Sequence, residues 1–99
     1  MGYTDIMNSI LSNERQCYIC GRTGSLHRHH IFYGNANRRQ SERYGCWIYL
    51  CAEHHNMSRH GIHNDRNLDE RIKRECQSAF EEKIGNRAEF RRIFGKSYI

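Results

Sequence analysis

The sequence predicts a small α+β domain: an antiparallel hairpin, a metal-binding knuckle at its base, and helices at the C-terminal end. Three observations carry this expectation. Two short stretches, Leu26 to Phe32 and Cys46 to Cys51, have the aromatic and β-branched character of strands. Two closely spaced ligand pairs, Cys17-x2-Cys20 and Cys51-x2-His54, stand thirty residues apart. From Asn67 onward, apolar residues recur at three- and four-residue steps, the period of a helix face.

The totals bound the rest. Ninety-nine residues make one domain, 1–99, with its core at about 15–95. Only 37% of the residues are apolar, so the buried core is modest and a staple is expected. Five cysteines can supply it. Met1 to Asp5 lacks the basic start and apolar run of a secretory signal, and no stretch is long enough to span a membrane. Met1-Gly2 is not a myristoylation signal, because Ile6 stands where Ser or Thr is needed. The expected compartment is a reducing cytoplasm, where Cys-x2-Cys is read as metal-binding before disulfide. Sixteen Lys and Arg against eleven Asp and Glu give a formal charge of +5, and only Lys73, Lys83 and Lys96 are lysines. Arginine forks suit phosphate oxygens, so the balance permits a nucleic-acid partner without requiring one.

Taken in order, Thr4 to Leu11 can form one or two helical turns with Ile6, Ile10 and Leu11 inward. Cys17 to Gly21 reads as a tight turn that aims two thiolates at one ion, with Gly21 supplying the backbone freedom. The strand Leu26 to Phe32 follows. Tyr33 to Gly45 reads as a polar loop holding Arg38, Arg39 and Arg43 and almost nothing to bury. Cys46 to Cys51 pairs antiparallel with the first strand, which brings Cys51 beside Cys17 and Cys20. Leu68, Ile72, Cys76, Ala79, Phe80 and Ile84 mark one helix, capped by Asn67 and stopped by Gly85. Asn86 to about Phe94 is a second, with Phe90, Ile93 and Phe94 inward and Gly95 as its stop.

Cys17, Cys20, Cys51 and His54 make a soft, four-ligand set suited to tetrahedral Zn²⁺ in a structural role. His55 is an alternative fourth ligand, although the x2 spacing favours His54. His27, His29, His30, His55, His60 and His63 then remain. Strand pairing brings His55 near His29 and His30. Two or three neutral imidazoles with open coordination positions make a catalytic type of metal site. Neighbouring side chains on a strand point to opposite faces, so His29 and His30 reach one site only through a bend, or else serve different partners.

The ordered set Cys17-x2-Cys20, His29-His30-Ile31, then Leu50-Cys51-x2-His54-His55-Asn56 resembles the HNH endonucleases of the ββα-metal fold. The similar version is the one whose zinc knuckle is interlaced with its active site. Phe32-Tyr33-Gly34, Arg38 to Gly45 and Gly61-Ile62-His63 look like small phage-encoded members, akin to the phage recombination-enhancement nuclease group. The resemblance covers roughly residues 15–95. It implies metal-dependent hydrolysis of double-stranded DNA in a bacterial host cell, leaving 5′-phosphate and 3′-hydroxyl ends. Carried over, His29 and His55 are ligands of one catalytic divalent cation (Mg²⁺, Mn²⁺, Ni²⁺ or Zn²⁺) and His30 is the general base. His63 is a further ligand or a phosphate contact. Arg38, Arg39 and Arg43 can hold the DNA backbone. The family's middle asparagine falls at Cys46, and a thiol braces a loop poorly by hydrogen bonds; Asn37 and Asn56 are candidates to replace it. Two other classes fit the same residues: a zinc-stapled DNA-binding module without catalysis, and an adaptor or inhibitor domain that uses its surface on a protein.

Overall fold

The structure, a computed structural model, describes residues 8–99. The elements run β1 (Leu26–His30), α1 (Asn35–Arg43), β2 (Trp47–Cys51), a π-helical turn (Glu53–Met57), a 3-10 turn (Ile62–Asn64), α2 (Arg66–Lys83) and α3 (Arg87–Phe94). β1 and β2 pair antiparallel, with Leu26 opposite Cys51, His29 opposite Ile48 and His30 opposite Trp47. The α+β class and the hairpin are as expected, with strand ends trimmed by one or two residues.

The stretch 33–45 is not a loop. Its middle nine residues form α1, inserted between the two strands. Ser41 anchors it: its hydroxyl donates to the Phe32 carbonyl at 2.6 Å and accepts from the Phe32 N–H at 3.1 Å. The Ser41 carbonyl accepts from Cys46 N–H at 2.7 Å, which returns the chain to β2. One fully buried serine thus fixes both ends of the insertion. Cys46 is itself fully buried in the core, where its Sγ lies 3.9 Å from the Tyr44 carbonyl and contacts the thiol of Cys76.

α2 starts two residues earlier than the sequence suggests. The cap is Asp65, whose carboxylate accepts from Leu68 N–H at 3.1 Å; Asn67 lies exposed in the first turn. Asp65 is a comparably good capping residue, and its extended backbone leaves the side chain free to reach the third amide. Ile84 is 37% exposed because it lies at the C-cap, beyond the helix face it was expected to extend. α3 has the expected bounds: Asn86 and Glu89 form a reciprocal capping box, and Gly95 ends the helix in the left-handed conformation.

The core lies where both helices meet the hairpin. Phe32, Phe80, Phe90 and Phe94 cluster, with Phe32 4.5 Å from Phe94 and 5.2 Å from Phe90 between ring centroids. Cys76 packs there too. Buried Gln77 accepts from Tyr98 N–H at 2.7 Å and donates to Ser97 Oγ, which pins the C-terminal segment. The expected N-terminal helical turns lie outside the described residues up to Met7. From Asn8 to Leu11 the chain is not helical, although Ile10 is buried and Leu11 packs on the core. Among the described residues, no helix is long and apolar enough to cross a membrane.

Candidate metal centres

At the open end of the hairpin, the knuckle turn meets the end of β2. Gly21 takes φ +78°, and its N–H closes the turn on the Cys17 carbonyl at 2.8 Å. Tyr18 N–H then bonds the Tyr49 carbonyl, and Tyr18 Oη donates to Glu75 at 3.0 Å, so the knuckle is tied to both β2 and α2. Cys17, Cys20, Cys51 and His54 converge, their ligand atoms all within 4.8 Å of one another. Cys20 Sγ and Cys51 Sγ are 3.9 Å apart, Cys17 Sγ and His54 Nδ1 3.8 Å, and Cys51 Sγ and His54 Nδ1 3.3 Å. Ligands about 2.3 Å (sulfur) and 2.0–2.1 Å (nitrogen) from a tetrahedral ion stand about 3.8 Å apart as S–S pairs and about 3.6 Å as S–N pairs. The four donors can therefore hold a metal ion with little movement. Burial pushes the Cys17 thiol up, but hydrogen bonds from the backbone of Cys51, Cys20 and Ile19 outweigh it and hold the pKa at about 6. A thiolate is ready there at neutral pH.

The π-helical turn explains how two consecutive histidines serve different sites. His54 turns back to the cysteines, while His55, one helical step on, turns across the hairpin to β1. There it joins His29 and His63, again with ligand atoms all within 4.8 Å of one another. The ring centroids are 5.4 Å apart for His29–His55, 5.3 Å for His29–His63 and 4.8 Å for His55–His63. His55 Nε2 and His63 Nε2 are 3.1 Å apart, close to the roughly 3.3 Å that two imidazole ligands subtend at one tetrahedral ion. His29 is 2% exposed, and its Nε2 is buried without a hydrogen-bond partner. A buried ring nitrogen without a hydrogen-bond partner, in a ring 5.4 Å from that of His55 and 5.3 Å from that of His63, suits a cation ligand. Burial, then the neighbouring His55 and His63, lower the His29 pKa to about 3; burial and His63 lower that of His55 to about 4. Both are held neutral, the form that ligates. Three nitrogen donors leave coordination positions open.

Gly61 lets the His63 turn approach. A Cβ there would lie 2.9 Å from the His55 carbonyl oxygen, so no side chain fits without moving the backbone that carries both ligands. Beyond His63 lies a cleft of about 400 Å³ lined in part by Tyr33, Asp69, Lys73, Lys96 and Tyr98. Within it, Asp69 Oδ2 accepts from Tyr33 Oη at 3.2 Å and pairs with Lys73 Nζ at 3.0 Å.

His30 is not in this cluster. It follows His29 on β1, so it faces the other side of the ribbon. Its Nε2 lies 3.5 Å from Glu42 Oε2 on α1, and Arg28 Nη2 is 3.0 Å from the same oxygen; these are ion-pair contacts without hydrogen-bond alignment. Arg28 also covers the Trp47 ring at 3.7 Å. His55 thus reaches His29 and not His30. Arg38, Arg39 and Arg43 are exposed on α1, and among the described residues none of them pairs with a carboxylate.

Glu42, Ser41 and His27 had no role in the sequence reading. His27 Nδ1 lies 2.8 Å from His55 Nδ1. The alternation of a strand, which puts 27 and 29 on one face, was the available signal. A scan of protein-family models, a search of curated proteins and a search of solved structures gave no match to this chain.

Proposed function

We propose that this chain is a metal-dependent DNA endonuclease with a structural zinc at Cys17, Cys20, Cys51 and His54, and a catalytic divalent cation at His29, His55 and His63. The observation that carries this reading is the buried Nε2 of His29, without a hydrogen-bond partner, in one cluster with His55 and His63. A site of nitrogen donors with open positions, separate from a closed cysteine-rich one, fits catalysis better than stapling. Bound there, the cation would neutralise the developing charge on a phosphodiester and stabilise the leaving oxygen.

The chain's own residues do the rest. His30 takes the proton of the attacking water. Its side chain is 24% exposed, with Nε2 3.5 Å from the Glu42 carboxylate. His30 is the last residue of β1 and faces the side opposite His29, so this role requires the phosphodiester to lie across the end of the strand, where both faces are within reach. Arg38, Arg39 and Arg43 supply cations for the flanking strand, and Lys73 and Lys96 line the cleft beyond His63.

One observation favours a second reading. His30 faces Glu42 rather than the cluster, as in a DNA-binding module that keeps its metals and does no chemistry. Plasmid cleavage with added Mg²⁺, Mn²⁺ or Ni²⁺ separates the two. The nuclease reading expects cutting by the wild type and a loss of roughly 10²–10⁴-fold for His30→Ala, with metal and DNA binding kept. His29→Ala should instead raise the metal concentration needed. No cutting with any of the three cations leaves the binding module; equal cutting by His30→Ala overturns the assignment of His30 as the base.

A further inference from the structure

We propose that His27 is a positioning residue of the histidine metal centre: its Nδ1 accepts a hydrogen bond from Nδ1–H of His55 and thereby turns the Nε2 lone pair of His55 toward the ion. The inference rests on the metal centre proposed above, though not on cleavage of DNA.

The geometry leaves His55 little choice. A neutral imidazole carries one proton on two nitrogens. His55 Nε2 looks toward His63 Nε2 at 3.1 Å, inside the triad of donors, while His55 Nδ1 looks the other way, to His27 Nδ1 at 2.8 Å. The two rings meet edge to face, centroids 4.9 Å apart and planes at 81°, so the contact is a directed one and not a stack. If the proton sat on Nε2, it would point into the triad and His55 could not ligate. With it on Nδ1, His27 receives it and Nε2 is free. His27 is not a fourth ligand by placement: the donors that converge are those of His29, His55 and His63. It stands behind His55, where ligating histidines regularly find a hydrogen-bond partner that fixes tautomer and ring orientation.

β1 provides this through its alternation. Residues 27 and 29 share the face that looks toward the π-helical turn, with His27 opposite Leu50 and His29 opposite Ile48. One face of one strand thus carries both a ligand and the partner of another ligand, and a one-residue slip would lose both.

The test uses the full chain loaded with one equivalent of zinc, titrated with Ni²⁺ by calorimetry. His27→Leu removes the acceptor and should weaken Ni²⁺ binding roughly 10–100-fold. His27→Asn places Oδ1 near the position of Nδ1 and should restore most of that loss, a rescue that a packing role would not give. One zinc per chain and an unchanged melt in both variants would show that the cysteine site and fold are intact. Wild-type affinity in His27→Leu, or an Asn variant as weak as Leu, overturns the proposal. A wild type that binds no Ni²⁺ beyond the zinc overturns it together with the histidine centre. Ni²⁺ binding that follows this pattern without any DNA cleavage upholds the proposal and sinks only the nuclease reading.

Discussion

His29 is the residue on which the second centre turns, and its environment makes a measurable demand. Burial and the neighbouring imidazoles lower its pKa from 6.5 to about 3, and His55 shifts in the same sense. In the protein carrying one equivalent of zinc, the His29 ring should therefore stay neutral through pH 5, followed by its ring nitrogens in NMR. A midpoint near 6.5 would mean that the ring is solvated and is not held for an ion. The linkage has a definite sign. A lowered folded pKa means the unfolded chain takes up the proton first, so this stabilisation is whole above about pH 7. It is lost as pH falls from 6.5 toward 3, at up to about 1.4 kcal/mol per pH unit. At this scale the sequence was partly legible. Ligand spacing picked out Cys17, Cys20, Cys51 and His54, and the split between His54 and His55 followed from it. Strand alternation put His27 on the face of His29, but its contact with His55 was hidden until the element facing β1 was known.

Among the elements, α1 is the one that composition concealed. Asn35 to Arg43 offers only Ala36 as an apolar residue, so there is no helical stripe to read, and glycines on both sides suggested a loop. What holds the helix is polar and long-range: the two Ser41 hydrogen bonds to Phe32, and Asn37 Nδ2 donating to the Phe94 carbonyl at 3.3 Å. Hydrophobic periodicity does not report such anchors. α2 and α3, by contrast, bury apolar faces, and their bounds were legible to within two residues. Ser41→Ala leaves a buried N–H and a buried carbonyl of Phe32 without their partner. It should cost about 1–3 kcal/mol in urea or thermal unfolding. A change below about 0.5 kcal/mol, typical of a neutral surface substitution, would show that α1 is held by something else.

For the whole molecule, two small donor sets lie on either side of one turn, and a core of few apolar residues surrounds them. The hairpin sets the distance between the sets, and the π-helical turn apportions His54 to one and His55 to the other. The chain's order of cysteine and histidine pairs made that division legible; the open face of the second set needed the register of β1 on β2. The two donor sets are proposed to hold two ions of different chemistry, the first of them required for folding. A Co²⁺ titration of the metal-free chain, read by absorbance and circular dichroism together, tests this most directly. The first equivalent should bring thiolate charge-transfer absorption and native secondary structure together, since binding free energy at such a site is folding free energy. The second equivalent should add tetrahedral or five-coordinate cobalt bands with no further thiolate absorption, and His29→Ala should remove that second step alone. Saturation at one equivalent, thiolate absorption that keeps rising beyond it, or a metal-free chain already fully folded would contradict the claim.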